Sequence, residues 1–514
     1  MNKIKLLNNM LRIKNTYDII LKNETYILID KLSFYIYTNE RGVKSMSEKT
    51  EGEKLKEELF NSKKNGWEVA TEEEKQNIFK FCDEYMYFLN RAKTEREAVE
   101  FSTDILIKNG FKNIEEVDSL NCGDKVYYVN RGKNVYAAVI GKRPLEDGIN
   151  IVGAHIDSPR LDLKPNPLYE DTGLAYLKTH YYGGIKKYQW TTIPLAIHGV
   201  IVKANGEKIK VNIGEDESDP IFTITDLLPH LAQEQMEKKL KDGVGGEALN
   251  LLIGSIPYND EKVTEKVKLN ILNILNQKYG IKEVDFLSSE IELVPAFKAR
   301  SLGFDSSMVA SYGQDDRVCA YTSLRAILDA NMPEKTAVCI LADKEEIGSV
   351  GNTGMEANVF DTFVAEMLNK LGQNKINLLD KVFCNSKMLS ADVDAGLDPI
   401  YASVSEKNNA SMLGKGIGMC KYTGSRGKSG ASDANAEYVA EVRKMLEENG
   451  ILYQISELGK VDTGGGGTIA YIFANKGIDV IDCGVPVLSM HAPYEVTSKY
   501  DVYSAYKTYR AFMK

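Results

Sequence analysis

The chain has 514 residues, 43% apolar, 9% aromatic and 27% charged, which is too apolar for a disordered chain and long enough for two to four domains of roughly 100 to 200 residues each. Lys plus Arg number 64 against 73 for Asp plus Glu, a formal charge of −9, so a sequence-wide basic face for nucleic acid or anionic lipid is excluded. Seven scattered cysteines with no Cys-x-x-Cys pair give neither a zinc ribbon nor a disulfide framework, and fit reduced thiols in the cytoplasm.

Residues 1 to 45 are rich in Asn and Lys and lack a clear amphipathic period. Asn8, Asn9, Arg12, Lys14 and Asp18 interrupt each candidate export core, so this stretch is expected to be a poorly patterned extension ahead of a start near Met46. No run approaches the ~18 apolar residues of a membrane span. Ile78, Phe81, Cys82, Tyr85, Met86 and Leu89 recur at helical spacing, and Thr94 with Glu97 forms a capping box for a second helix that Gly110 ends. Asn134 to Ile140 and Asn150 to His155 read as continuous apolar strands of a buried α/β sheet.

From Pro165 the sequence turns rich in Pro, Gly and Tyr. Asn205-Gly206 between Val200-Ile201-Val202 and Ile209 to Ile213 predicts a two-residue hairpin. An amphipathic helix near Val263 to Lys278 and a strand near Glu290 to Pro295 follow. Residues 166 to 298 are therefore expected to be an inserted β-rich domain between catalytic segments 46 to 165 and 299 to 514. Beyond it, a helix near Arg317 to Ala330, strands at Thr336 to Ala342 and up to Ser390, a helix over Ser432 to Glu448, strands near Ile451 and Ile478 and a C-terminal helix argue for helices on both faces of one sheet.

Only five histidines are present. His155 in Gly-Ala-His-Ile-Asp-Ser stands at a strand end, with Asp157 sent to the same side by the period of two, as a metal ligand with a supporting carboxylate or as a surface pair. Asp315-Asp316 precedes a helix and serves equally as an N-cap. Glu345-Glu346 leaves an apolar strand, as ligands or as a solvated charge run. Asp392 follows Ser390-Ala391 at another strand end, and His491 follows an apolar run that also suits a core histidine. Together, two His and several carboxylates at strand ends of one domain match the donor set of a pair of zinc-like ions.

These residues also carry a resemblance. Gly153 to Asp162, Gln314-Asp315-Asp316-Arg317, Glu345 to Ser349, Ser390-Ala391-Asp392 and Met490-His491-Ala492 resemble, in order, the aspartyl aminopeptidase and vacuolar aminopeptidase I family of zinc metallopeptidases. The resemblance implies a zinc-peptidase-like α/β fold with a mixed central sheet flanked by helices and an inserted β-rich dimerisation domain. It implies two divalent ions per subunit, most readily zinc. His155 and His491 would each bind one ion and Asp315 would bridge them. Glu346 and Asp392 would each complete one shell, Glu345 would be the general base, and Asp157 would orient the metal side. It further implies peptide substrates, a homo-oligomer, dodecameric in the family, and His180 reaching a neighbouring subunit's site. Where many relatives have histidines after Ser-Ala-Asp, this chain has Val393, Asp394 and Ala395.

Gly427-Lys428-Ser429 has the end of a phosphate loop, but Tyr422 stands where the first glycine belongs. In the resembled family this stretch lies near the substrate pocket, which implies Arg426 or Lys428 as a candidate to meet an acidic substrate side chain; a solvated basic turn is the other reading. Asp462-Thr463 and Gly464 to Gly467 read as a turn lining the same pocket or as a flexible loop.

Overall fold

The computed structural model describes residues 49–61, 63–424 and 426–514; the expectations for residues 1 to 45 lie outside them. The chain divides into two compact units, Met1–Lys63 and Lys64–Lys514. The described part of the first holds the helix Glu51–Leu59, started by a capping box between Thr50 and Glu53.

The centre of the second unit is a nine-stranded sheet in the spatial order Lys112–Asn113, Lys125–Asn130, Asn134–Val139, Ala337–Ala342, Asn150–His155, Lys387–Ser390, Asp479–Gly484, Ile417–Cys420 and Tyr453–Ser456. Ala337–Ala342, Asn150–His155, Lys387–Ser390 and Asp479–Gly484 run parallel, while Asn134–Val139 and Ile417–Cys420 join antiparallel. The sheet is thus mixed. Its two faces are both covered, which explains the unbroken apolar runs. Val135, Ala137 and Val139 enter one core, and Tyr136 and Ala138 the other. Helices Glu72–Arg91, Glu95–Lys108, Gln314–Leu328, Ala436–Glu448 and Lys499–Phe512 cover the first face; Val359–Lys370, Leu378–Cys384 and Ala470–Ala474 cover the second. The Thr94–Glu97 capping box forms as the sequence requires.

A second, six-stranded antiparallel sheet packs its own core around Leu161, Trp190, Leu195 and Leu293. It starts at Arg160, so residue 166 falls inside its first strand, Arg160–Asp171, and it ends at Pro295. The Asn205-Gly206 hairpin also differs from its expected form. Gly206 donates to Lys203 O and Lys203 donates to Glu207 O, with Gly206 at φ 88°, so the tip is a type I turn closed by a left-handed glycine. A five-stranded sheet, Arg300–Leu302, Met308–Ser311, Glu495–Ser498, Pro486–Leu488 and Asp394–Ala395, completes the unit.

Candidate metal centre

Three neighbouring parallel strands deliver most of the site at their C-terminal ends. His155 closes Asn150–His155 beside Ala342, and Ser390 lies beside Gly153, so the segments holding Glu345, Glu346 and Asp392 emerge next to His155, as ligand-bearing loops do in open α/β sheets. The helix Gln314–Leu328 brings Asp315. Its first residues are not helical, with Asp315 at φ −81°, ψ 109°, so Asp315 points its carboxylate across the strand ends and does not act as an N-cap.

His155 is 2% exposed. Its Nδ1 lies 2.9 Å from the Asp157 carbonyl oxygen, and its Nε2 lies 3.1 Å from Asp315 Oδ1, 3.8 Å from Asp392 Oδ1 and 3.9 Å from Glu345 Oε2. With Nδ1–H donating to the carbonyl, Nε2 is the ring nitrogen turned to three carboxylates, the orientation a metal-ligating histidine needs. His491 repeats the pattern. Its Nδ1 donates to Gly184 O at 2.8 Å, and its Nε2 lies 3.2 Å from Asp315 Oδ2 and 3.6 Å from Glu346 Oε1. This histidine stands in a half-exposed turn at φ 66°, not in the core.

Donor atoms of His155, Asp315 and Asp392, and of Asp315, Glu346 and His491, gather within 4.8 Å of one another. Asp315 belongs to both sets, one oxygen facing each histidine. Glu346 Oε1 is buried with no hydrogen-bond partner, and a buried carboxylate oxygen is costly unless something positive meets it. Burial and then the Asp315 charge push the Glu346 carboxyl well above its ordinary range; burial, Asp316 and Glu345 do the same to Asp392. Burial opposes protonation of His155 and His491, yet the carboxylates around them outweigh it, raising His491 to about 10. Such a set binds protons tightly where divalent cations would relieve the same repulsion, so the residues fit a pair of zinc-like ions.

Glu345 and Glu346 occupy the 3-10 turn Glu345–Ile347 after Lys344 at φ 69°, not the strand end itself. Successive residues of that turn are about 120° apart, so Glu346 Oε1 lies 3.6 Å from His491 Nε2 and Glu345 Oε2 lies 3.9 Å from His155 Nε2; both line the cavity, and donor atoms of His155, Glu345 and Glu346 also gather within 4.8 Å of one another. Burial, then the Asp157 and Asp315 charges against the attraction of His155, raise Glu345 to about 7. Asp157 holds the arrangement together, accepting the Glu345 and Glu346 backbone N–H groups at 3.2 Å each.

Two supporting residues escaped the sequence reading. Glu495 accepts the backbone N–H of Asp315 at 3.1 Å and that of His491 at 2.8 Å, and burial raises its carboxyl to about 8. Tyr182 reaches Asp157 from the second sheet. The only sequence signal for Glu495 was an acid four residues after His491, too common a spacing to single out.

His180 sits exposed on the strand Leu174–Tyr182, opposite Asp162, and does not line the cavity at the metal centre. Neither do Arg426 or Lys428. Lys428 Nζ contacts Asp433 at 3.1 Å and lies 3.8 Å from the Tyr422 ring centroid, so the Gly-Lys-Ser stretch offers no free lysine for a phosphate. Gly465, Gly466 and Gly467 do line the cavity.

An α/β sheet with imidazoles and carboxylates converging at its parallel strand ends makes a candidate metal centre, and similarity to known proteins gives the family. Residues 88–513 match the model of the aminopeptidase I zinc metalloproteases, M18, and the chain belongs to that family. It is 54% identical over 460 residues to a probable M18 family aminopeptidase 1 of Clostridium acetobutylicum, covering 89% of this chain and 99% of that protein. The crystal structure of an M18 aminopeptidase from Thermotoga maritima superposes with a TM-score of 0.86 at 49% identity, covering 88% of this chain and all of that one. More distantly, the S. cerevisiae mApe1 dodecamer shares the fold, with a TM-score of 0.68 at 23% identity over 84% of this chain and 95% of that one. The chain is accordingly a metal-dependent aminopeptidase of the zinc metalloprotease class.

Proposed function

We propose that the protein holds two divalent ions, most readily zinc, and removes the N-terminal residue of peptides with Glu345 as general base. The observation that carries this reading is the placement of Asp315, whose two oxygens face two histidines at 3.1 and 3.2 Å. His155, Asp315 and Asp392 would hold one ion, and His491, Asp315 and Glu346 the other. When bound, the ions polarise the scissile carbonyl and acidify a water. Glu345, beside but outside the two sets, takes the proton of the attacking water and delivers it to the departing amine nitrogen. Asp157 fixes the His155 ring and the Glu345–Glu346 turn at once.

We further read the segment of the second sheet, from Arg160 to Pro295, as the inserted domain that joins copies into a homo-oligomer, and the flanking parts of the second unit as the catalytic domain, with His180 of a neighbouring copy contacting substrate. The exposure of His180 on the second sheet and the dodecameric assembly of mApe1 support this. All seven cysteines are free, which suits a cytoplasmic protein. No helix among the described residues is long and apolar enough to cross a membrane. Metal analysis of the purified full chain together with turnover of an aminoacyl anilide before and after chelation tests the proposal: activity lost with metal and restored by zinc supports it, and chelation-insensitive activity refutes it.

A further inference from the structure

His155 and Asp315 reach the metal centre on separate segments. The first runs from His155, at the end of Asn150–His155, to Pro159; the second runs from Tyr312 to Arg317, at the start of Gln314–Leu328. Among the described residues no backbone-to-backbone hydrogen bond joins the two. Their spacing is set instead by four buried bonds between side chain and main chain. The His155 backbone N–H donates to Asp316 Oδ2 at 3.2 Å, Arg317 Nη1 to Ile156 O at 3.3 Å, Ser158 Oγ to Asp315 O at 2.6 Å and the Tyr312 hydroxyl to Pro159 O at 3.0 Å.

Arg317 differs from its neighbours in this set. It is 1% exposed, and its Nε and Nη2 have no hydrogen-bond partner among the described residues. Burying two guanidinium nitrogens without acceptors costs more than one hydrogen bond to a carbonyl offsets. The surroundings nevertheless make room for the group. Gly313 is at φ 70°, and a Cβ there would lie 2.0 Å from Arg317 Nη2, so glycine is what lets the guanidinium fold back over the main chain just ahead of Asp315. Its Cζ lies 5.1 Å from the ring centroid of Tyr312, the residue whose hydroxyl holds Pro159. One side chain thereby touches both segments: the backbone before Asp315, and the carbonyl of the residue between His155 and Asp157.

Resting on the two-ion aminopeptidase reading above, we infer that Arg317 is a positioning residue: it fixes the spacing of His155 and Asp315 by holding Ile156 against Gly313, and the fold retains it for that geometry at a cost in stability. Donors of a metal site must be held to within about 0.5 Å by the residues behind them, and deleting a group that orients a ligand lowers metal affinity or activity by about 10- to 100-fold.

Arg317→Met keeps an unbranched stem and removes the guanidinium. In the full chain, zinc affinity titrated against a competing chelator should fall by about 10- to 100-fold. At saturating zinc, kcat on an aminoacyl anilide should fall by a similar factor with KM nearly unchanged. The melting temperature of the metal-free protein should equal or exceed that of wild type, because an apolar side chain replaces a buried charge. A purely structural role gives the opposite pattern, a lower melting temperature with zinc affinity intact. Tyr312→Phe keeps the ring beside Arg317 and frees only Pro159; it should weaken zinc binding by about tenfold or more, whether or not Arg317→Met folds. Wild-type zinc affinity and kcat in Arg317→Met overturn the inference, and so does an unfolded Arg317→Met together with wild-type zinc affinity in Tyr312→Phe. A wild-type chain that binds zinc but turns over no anilide, with both variants binding zinc more weakly, would refute the aminopeptidase reading while sustaining the role of Arg317.

Discussion

The Tyr182 hydroxyl donates a 2.8 Å hydrogen bond to Asp157 Oδ2, so a strand of the second sheet holds the side chain of the residue whose carbonyl accepts from His155. The Tyr182 ring is itself fixed, with the Arg160 guanidinium 3.9 Å from its centroid. Arg160 in turn lies 2.8 Å from Asp162, 3.1 Å from Glu292 and 3.5 Å from Glu95, a buried ionic cluster that is strongly disrupted if one member is removed. Packing of the second sheet is thereby coupled to the carboxylate that anchors the Glu345–Glu346 turn.

Tyr182→Phe removes this link while keeping the ring under Arg160. Zinc affinity is expected to fall by about 10- to 100-fold, the usual effect of deleting a group that orients a metal ligand, with thermal stability nearly unchanged. Zinc titration against a competing chelator measures it. Wild-type affinity in the variant would show that Asp157 is held by its backbone donors alone.

Subunit sharing has its own signature. Mixed oligomers of His180→Ala chains and Glu345→Gln chains should recover part of the activity that neither homogeneous form has, because some sites then combine an intact His180 with an intact Glu345. Absence of recovery, in mixtures whose co-assembly is verified by native mass spectrometry, refutes a His180 contribution across the interface.

Burial raises the Asp482 carboxyl from 3.8 to about 6, with the Ser390 and Thr468 hydroxyls opposing part of the rise. The folded chain then keeps a proton that the unfolded chain releases. The associated stability is fully present below pH 3.8 and is lost as pH rises through about 6. Roughly two pKa units at 1.36 kcal/mol each make the change about 3 kcal/mol. In metal-free protein, the unfolding free energy of wild type minus that of Asp482→Asn should decline by that order between pH 4 and 7. A pH-independent difference would show that Asp482 does not take up a proton on folding.

Much of this architecture is written locally. The six-residue strand Asn150–His155, the Thr94–Glu97 capping box and the alternation of Val135, Tyr136, Ala137 and Ala138 between two cores follow from period and capping chemistry. The candidate ligands were legible as short polar motifs beside apolar strands or a helix start, although Glu345 and Glu346 lie in a 3-10 turn, Asp315 opens a helix and His491 stands in a turn. What local pattern could not convey was contact across the chain. Tyr182 meets Asp157 through the register of one sheet, and Glu495 meets Asp315 across 180 residues of sequence. The second sheet's start at Arg160 was hidden because its first residues continue the motif that begins at Gly153. The left-handed Lys344 that turns Glu345 and Glu346 apart is likewise a backbone choice that residue type does not announce.

The most direct test of the account is metal content and turnover of Glu345→Gln. The substitution keeps size and hydrogen bonding but removes the base, so both ions should remain bound while turnover falls by roughly 10² to 10⁴. Glu346→Ala, its control, should lose metal and depend on added zinc. Glu345→Gln protein that loses its metal while Glu346→Ala keeps it, or that turns over at the wild-type rate, would contradict the assignment of the proton to Glu345 and the ion to Glu346.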